Sequence, residues 1–394
     1  MTTAQRSPRR SPRRSLLGLY TGALLLLGTT LPQQASPQAA PAATSPRAES
    51  LPDFAATVRR LSDAGGYFDT DNLISNEKGY QRVLGVMSRM GVRGGAYIGV
   101  GPDQNFTYIA QVRPRIALLV DVRRDNMLQH LMFKALFARA RNRAEYLALW
   151  TGKAMPADIA SYTDRSLESL VAWIDAQPFN QVSAQRARRI IREAVLTTGM
   201  VLSGPELQTI ERFHTAFIND GLSLRFTSTG RAPQPHYPTL RQLLLERDET
   251  GALRNYLVRE DDFQFLKSMQ ARNLIGPVTG DLGGPRTLPT IGRFLAERRD
   301  KVSVLYMSNV EDYLLRDGSF STYLSGVKLL PRDARTVMIR SYFGGGFGHP
   351  AATQEYYATQ LISTMDTFVA DTALSRPMRY RELVNRHWLP LRQP

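Results

Sequence analysis

The sequence contains no cysteine and only five histidines. The missing cysteine excludes disulfides, thiolate metal sites, iron–sulfur clusters and cysteine nucleophiles, and it is compatible with either redox compartment. No histidine pairs with another at the spacing of metal ligands. The sequence also lacks the Gly-x-Ser-x-Gly turn of the common hydrolases and the Walker A lysine motif. Any activity must therefore rest on chemistry that needs none of these groups.

Acidic residues are fewer than basic ones, 35 against 50, which gives a net charge of +15. Residues 1–50 supply +5 of this charge, and elsewhere the arginines are scattered among acids. This pattern favours a solvated surface over a patch for nucleic acid or anionic lipid. No motif combines basic and aromatic residues, so we predict no nucleic-acid partner. The length of 394 residues and the 43% of hydrophobic residues indicate one large globular domain or two smaller ones.

The first 43 residues have the pattern of an export signal. Residues 1–15 are strongly basic, residues 16–31 form an apolar run, and a stretch rich in Ala, Pro and Ser follows. The pair of arginines before the apolar run is similar to a twin-arginine signal. The run is short for a membrane span, which needs about 20 residues. We therefore predict an exported protein, periplasmic or secreted. The alternatives are a miscalled start or an uncleaved anchor, which would be the one membrane contact.

Strand-like and helical patterns alternate on both sides of a long helical stretch. This alternation predicts an α/β fold with a doubly wound, mostly parallel sheet and helices on both faces. The last part of the chain, residues 353–387, is predicted to form two helices. The predicted division of the chain is a signal and tether (1–50), N-terminal helices with the first half of the sheet (51–145), a helical insertion that caps the cleft (146–268), and the second half of the sheet with C-terminal helices (269–394).

A glycine turn followed by an acid suggests a nucleotide site. A short apolar strand enters Gly99 and Gly101, a helical segment follows, and a second apolar strand ends in Asp121. Glycine lets the backbone approach a ligand where a Cβ would clash. Asp121 stands where a doubly wound fold places the carboxylate that binds a ribose diol. The third glycine of the dinucleotide pattern is absent, which disfavours a pyrophosphate ligand. The alternative is a tight turn with a surface Asp.

Two later strand-like runs also end in polar residues. The run 274–278 leads to Asp281, and the run 302–307 leads to Ser308 and Asn309. Because the carboxyl ends of parallel strands meet at one edge, these side chains are predicted to share a crevice with the glycine turn. Asp281 would accept a hydrogen bond from an adenine amino group, and Ser308 and Asn309 would face the reactive end. Taken alone, each is equally well a loop cap or turn residue.

The order of these elements resembles the Rossmann-like fold of class I S-adenosylmethionine-dependent methyltransferases. Residues 99–105 (GVGPDQN) resemble the first motif of that family, whereas its usual acid two residues before the first glycine is replaced by Tyr97. Residues 306–314 are similar to the Ser-Asn-rich strand end of the aminocarboxypropyl transferases of betaine-lipid synthesis. The mature chain also resembles an uncharacterised bacterial family in which the segment 67–77 (YFDTDNLISNE) precedes the glycine motif. The resemblance implies cofactor contacts from Gly99, Gly101, Asp103, Asn105, Asp121, Asp281, Ser308, Asn309, Asn72 and Asn76.

Transfer from a sulfonium needs positioning and electrostatics rather than a fixed triad, so the sequence assigns no catalytic residue. Asn72 and Asn76 would orient an amino-acid moiety through their amides. Asp71, Glu77 and Asp312 are the candidate bases for an acceptor that must lose a proton. The alternative for this segment is a run of Asx turns and helix caps.

The sequence thus predicts a transferase with S-adenosylmethionine as cofactor and no metal. It would transfer a methyl or aminocarboxypropyl group to an unknown small or lipid acceptor. The alternative is an exported, non-catalytic ligand-binding protein that retains the fold. Tyr97 and the export signal favour the alternative, because this cofactor is made and used in the cytoplasm. The set of polar residues at the strand ends favours the transferase.

Overall fold

Six strands form one sheet in the order β3-β2-β1-β4-β5-β6. The computed structural model describes residues 50–51, 53–232, 234–344 and 348–391. Strands β1 to β5 are parallel, and β6 runs antiparallel to β5. The chain therefore has the predicted α/β fold with a mostly parallel sheet. The strands are β1 (Ala96–Gly99), β2 (Ile116–Asp121), β3 (Ile275–Thr279), β4 (Val302–Tyr306), β5 (Val337–Phe343) and β6 (Ala358–Thr364).

Helices make up most of the rest of the described chain. The stretch between β2 and β3 holds α4 to α10, and α4 lies against both of these strands while α7, α8 and α10 pack on it. The α-helices are α1 (Phe54–Leu61), α2 (Leu84–Arg89), α3 (Gln104–Val112), α4 (Arg124–Arg139), α5 (Arg143–Thr151), α6 (Leu167–Ala176), α7 (Gln181–Leu196), α8 (Gly204–Asp220), α9 (Leu240–Leu244), α10 (Glu260–Ala271), α11 (Thr287–Glu297), α12 (Val310–Asp317), α13 (Phe320–Lys328), α14 (Met365–Ala370) and α15 (Tyr380–Val384).

The central strands are short and covered on both faces. Every residue of β1 is buried, and β2 is an apolar run that is buried up to its last residue, Asp121. Continuous apolar runs are typical of parallel strands with helices on both sides. Polar residues on these strands are therefore confined to the ends, which is where the chain leaves the core.

The prediction of two helices over residues 353–387 is correct for the later part of this stretch and wrong for its beginning. Residues 358–364 form β6 at the edge of the sheet, and the short helices α14 and α15 follow it. The misleading signal comes from Thr359, Gln360 and Ser363, which are polar but buried. Gln360 accepts a hydrogen bond from Ser341 on β5. Because these polar side chains are buried within the fold, the sequence of this strand resembles that of a partly exposed helix.

The predicted export signal and tether lie outside the described residues, except for Ser50. Among the residues that the structure describes, no helix is long and apolar enough to span a bilayer.

Candidate functional site

A cavity of about 330 Å³ opens at the carboxyl ends of the strands. It lies where the strand order changes direction, because β1 has β2 on one side and β4 on the other. Open α/β sheets bind ligands in the crevice at such a switch point. Its lining includes Tyr67, Phe68, Asn72, Asn76, Glu77, Gly101, Gln104, Asp121, Val122, Arg123, Asp281, Leu282, Ser308, Asn309, Tyr313 and Leu314.

Most of the predicted site residues lie on this cavity. They come from five separate parts of the chain, four of which lie at the ends of strands at this edge of the sheet. Whether they bind a cofactor stays a prediction. Those that line the cavity are Gly101, Asp121, Asp281, Ser308, Asn309, Asn72 and Asn76, whereas Gly99, Asp103 and Asn105 do not.

Asn105 lies beneath the glycine turn. Its Nδ2 donates to the carbonyl oxygens of Val100 and Pro102, both at 2.8 Å, and its Oδ1 accepts from the Tyr97 hydroxyl at 2.7 Å. A Cβ on Gly99 would lie 2.1 Å from this Oδ1, so a side chain there would displace the amide. These residues therefore shape the turn, and the Tyr97 hydroxyl supports it through Asn105.

Asp121 is already paired inside the protein. Arg123 donates from Nε to Oδ1 at 3.0 Å and from Nη2 to Oδ2 at 2.7 Å, and its backbone N–H also donates to Oδ1. Nη1 of the same guanidinium binds the carbonyl oxygen of Thr70. Carboxylate oxygens have lone pairs left after one such bond. Asp121 can still accept from a ligand, but with its charge balanced by Arg123.

Asp281 lies on the exposed rim of the cavity. Its Oδ1 accepts from the backbone N–H of Gly283 at 2.8 Å. The carboxylate is therefore held in a local turn, as the alternative interpretation of the sequence proposed, and it also faces the cavity. The two interpretations are compatible because one oxygen suffices for the turn.

Glu77 is a carboxylate at the buried end of the cavity, 1% exposed. Tyr306 donates to its Oε2 at 2.8 Å and Gln360 donates to the same oxygen at 2.9 Å. Ser308 donates to Oε1, and a left-handed backbone at Ser308 (φ 51°) accompanies this contact. All these donors are neutral, and no salt bridge to Glu77 exists among the described residues. A buried carboxylate with only neutral partners can gain most from a cationic group.

Gln104 adds a second acceptor at the same end. Its Nε2 donates to the Tyr306 hydroxyl at 3.1 Å, whereas its Oε1 is buried and has no partner in the described structure. The amide orientation follows from the network, because the Tyr306 hydroxyl gives its proton to Glu77 and must accept from Gln104. The buried end of the cavity therefore offers acceptors, which suits a ligand that donates hydrogen bonds.

The outer end of the cavity is more apolar. The rings of Phe68 and Tyr313 meet edge to face, with 5.1 Å between their centroids. Val122, Leu282 and Leu314 complete this wall. A planar, largely apolar ligand group fits such a wall.

The segment before the sheet reaches the cavity by crossing the strand ends. The N–H of Gly66 donates to the carbonyl oxygen of Val122 at 2.6 Å. Gly65 has φ +80°, and a Cβ there would lie 2.9 Å from the same oxygen. Of the three candidate bases, Glu77 alone lines the cavity. Asp71 instead pairs with Arg212 at 2.5 Å, and Asp312 pairs with Arg316 at 3.1 Å.

A family described as a domain of unknown function (DUF7790) matches residues 73–192 and 227–387, which is more than half of the chain. The chain belongs to this family. Among curated proteins none matches it. The matched parts of this DUF7790 member contain Glu77, Gln104, Tyr306 and Gln360, whereas the aromatic residues 67 and 68 lie outside them. Among the described residues, no group of three or more His, Asp or Glu side chains is arranged to hold a metal ion.

Several site residues of this DUF7790 member have no signal of their own in the sequence. Tyr306 sits inside an apolar strand, and Gln360 lies on the strand that was predicted as helix. Arg123 is two residues beyond Asp121, a spacing that puts it within reach of the carboxylate at a strand end. That spacing is the one signal that could have predicted a contact in advance.

Glu246 lies behind the turn that follows Glu77. Its Oε1 accepts from the backbone N–H of Gly79, and its Oε2 is buried with no partner in the described structure. Burial raises the pKa of Glu246 to about 8, because the ionised form loses its hydration. The protonated carboxyl thus holds the turn that places Glu77.

Glu246→Gln is expected to remove most of the loss of stability between pH 6 and 8. The folded protein keeps this proton up to the raised pKa, whereas in the unfolded chain the carboxyl ionises near 4.5. The contribution of Glu246 to stability therefore falls as the pH rises through this interval, by about 2 kcal/mol between pH 6 and 8. Asp103, whose pKa burial raises to about 7, acts in the same direction, whereas His130 and His214, whose pKa burial lowers to about 4, act in the opposite direction, so the stability of the variant is expected to depend little on pH over this interval. Denaturant unfolding at both pH values measures the difference, and equal slopes in the two proteins would contradict the expectation.

Proposed function

We propose that this protein is a transferase that uses S-adenosylmethionine and acts on a small or lipid acceptor. The observation that carries the proposal is the polarity of the cavity. Its buried end presents the acceptors Glu77 and Gln104, and its outer end presents an apolar wall with Asp281 at the rim. An amino acid joined to a nucleoside has the matching polarity, with an ammonium at one end and a planar base at the other.

In the proposed complex, Glu77 and Gln104 hold the ligand ammonium. Glu77 thus supplies the acid that is missing at Tyr97, from a segment that precedes the sheet. Asp121 accepts from the ribose hydroxyls, and Asp281 accepts from the amino group of the base. Asn309 and Asn76 also line the cavity.

Bound in this way, the cofactor would supply the electrophilic carbon, and the protein would position it. Glu77 is fixed by three donors, so its role is to bind and orient rather than to exchange a proton with an acceptor. No residue is assigned as a general base. The buried end also excludes water from the ammonium contact, which strengthens it.

A second function, a ligand-binding protein without catalysis, is favoured by one observation. Both oxygens of Asp121 are already engaged by Arg123, so a ribose would compete with an internal ion pair. The pattern of residues 1–43 supports export, to the periplasm or beyond, and we propose it for either function. An exported transferase would have to be loaded with cofactor before it leaves the cytoplasm.

Calorimetric titration with S-adenosylmethionine and with its demethylated product tests the proposal. Both ligands are expected to bind with one site per chain. Heat at the baseline level for both would reject a cofactor site of this kind. A transferase is separated from a binding protein by product analysis with added membrane lipids. Methyl transfer releases S-adenosylhomocysteine, and aminocarboxypropyl transfer releases methylthioadenosine. Binding without either product supports the second function.

A further inference from the structure

A second concave region lies at the opposite ends of the strands from the cavity described above. Two cavities of about 220 and 370 Å³ share Arg93 in their walls. The smaller one is lined where the chain enters β1, β2, β4 and β5. The larger one lies between α3, α10 and the loop before α10. We call the two together the amino-end cleft.

The charged side chains of the amino-end cleft are mostly basic. Its acidic residues form ion pairs with basic residues of the same cleft. Asp262 pairs with Arg113, Asp300 pairs with Arg115 at 3.2 Å, and Asp333 pairs with Lys301 at 4.0 Å. Seven of its eight basic residues are arginines. The basic residues are Arg93, Arg113, Arg115, Arg254, Arg259, Arg299, Lys301 and Arg335.

Three of these arginines have no side-chain partner in the described structure. They are Arg93, Arg299 and Arg335, and all three line the smaller cavity. Most of the other arginines of the described chain are paired with acids, whereas these three face one cavity without such a pair. Like charges around one cavity repel each other, and a bound anion removes that repulsion.

The backbone offers a second observation. Arg113 and Arg299 follow helices α3 and α11 in the left-handed conformation, with φ of 53° and 56°. Helix ends of this kind favour glycine or asparagine, and a larger side chain costs about 1 kcal/mol there. Both arginines line the amino-end cleft. Strain retained at two positions that face one cleft is typical of a binding site.

We propose that the amino-end cleft binds a small ligand with two or more phosphate groups. Several guanidinium groups line the cleft, and guanidinium groups bind phosphate oxygens through pairs of hydrogen bonds. Both cavities are concave and open to solvent, and a concave site of this size suits a small soluble ligand better than a flat anionic surface. The site does not depend on the proposed transferase function, because it lies at the other end of the sheet.

Titration of the full chain with sodium tripolyphosphate at 150 mM salt tests this. The triple variant Arg93→Gln, Arg299→Gln, Arg335→Gln is expected to bind at least 30-fold more weakly than the wild type. A matched control replaces Arg59, Arg139 and Arg376, which are exposed, lack a side-chain partner in the described structure and lie outside the cleft. This control has the same net charge and is expected to stay within twofold of the wild type.

Equal losses in the two triple variants would show that only the overall positive charge attracts the ligand, and would overturn the site. Absence of binding by the wild type would overturn it as well. A third outcome is that the wild type binds vesicles of phosphatidylglycerol but not tripolyphosphate, and that the first variant loses the vesicle binding. This outcome would overturn the small ligand and indicate a lipid surface instead. The thermal midpoint of each variant shows that the comparison is between folded proteins.

Discussion

Replacing Arg340 with methionine is expected to lower the free energy of unfolding by about 3–5 kcal/mol. Arg340 on β5 and Glu311 on α12 form an ion pair in which both side chains are buried. Nη2 of Arg340 donates to Oε1 of Glu311 at 3.1 Å, and the Tyr323 hydroxyl donates to the same oxygen at 2.9 Å. The variant leaves the Glu311 carboxylate buried without its counter-charge, which costs far more than the net value of the pair.

A double-mutant cycle separates the two contributions. Glu311→Leu alone leaves the guanidinium unpaired, whereas the double variant removes both charges and is expected to be less destabilised than either single variant. Arg332→Met is the control, because its pair with Asp366 is half-exposed and is worth at most about 1 kcal/mol. Denaturant unfolding of all four variants gives the energies. An effect of Arg340→Met no larger than that of the control would contradict the expectation.

This ion pair also bears on the cavity. Helix α12 begins directly after Ser308 and Asn309, and the N–H of Ser341, next to Arg340, donates to the carbonyl oxygen of Ser308 at 2.7 Å. The pair thus ties the first turn of α12 to β5. Loss of the pair is therefore expected to loosen the turn that carries two of the predicted site residues.

The parts of the site that the sequence predicted follow from one regularity. Apolar runs end where the chain leaves the core, and parallel runs end at one edge. Asp121, Asp281 and Ser308 could therefore be placed together without knowledge of their contacts. The glycine turn has a comparable local cause, since the left-handed Gly101 (φ +84°) needs no distant partner to be recognised.

The remaining parts depend on contacts between distant residues. Gln360 and Glu77 are far apart in the chain, and nothing in either segment indicates that β6 brings them together. Asn105 follows the glycine turn as a ligand contact would, but its amide turns inward to the loop carbonyls. The direction of a side chain from a helix start is set by packing, which the sequence pattern alone does not contain.

Glu77→Gln is expected to weaken the binding of S-adenosylhomocysteine by about 30- to 100-fold. A hydrogen bond between charged partners contributes about 1.5–3 kcal/mol, and the amide keeps the shape of the side chain but not its charge. The new amide nitrogen can take the place of Oε1, where the Ser308 hydroxyl can rotate to accept from it, while Tyr306 and Gln360 keep donating to the remaining oxygen, so the fold is expected to be retained. Calorimetric titration of both proteins measures the change, and their thermal midpoints test the fold.

Methylthioadenosine is the matched ligand control, because it has the same base and ribose but no ammonium group. Its affinity is expected to be equal in the wild type and in Glu77→Gln. If both ligands lose affinity by the same factor, the substitution has distorted the cavity, and the assignment of Glu77 to the ammonium fails. If both keep their affinity, the ammonium lies elsewhere in the cavity. If Glu77 binds the ammonium, the variant loses affinity for S-adenosylhomocysteine and keeps its affinity for methylthioadenosine. This selective loss is expected because the buried carboxylate has no other positively charged partner among the described residues.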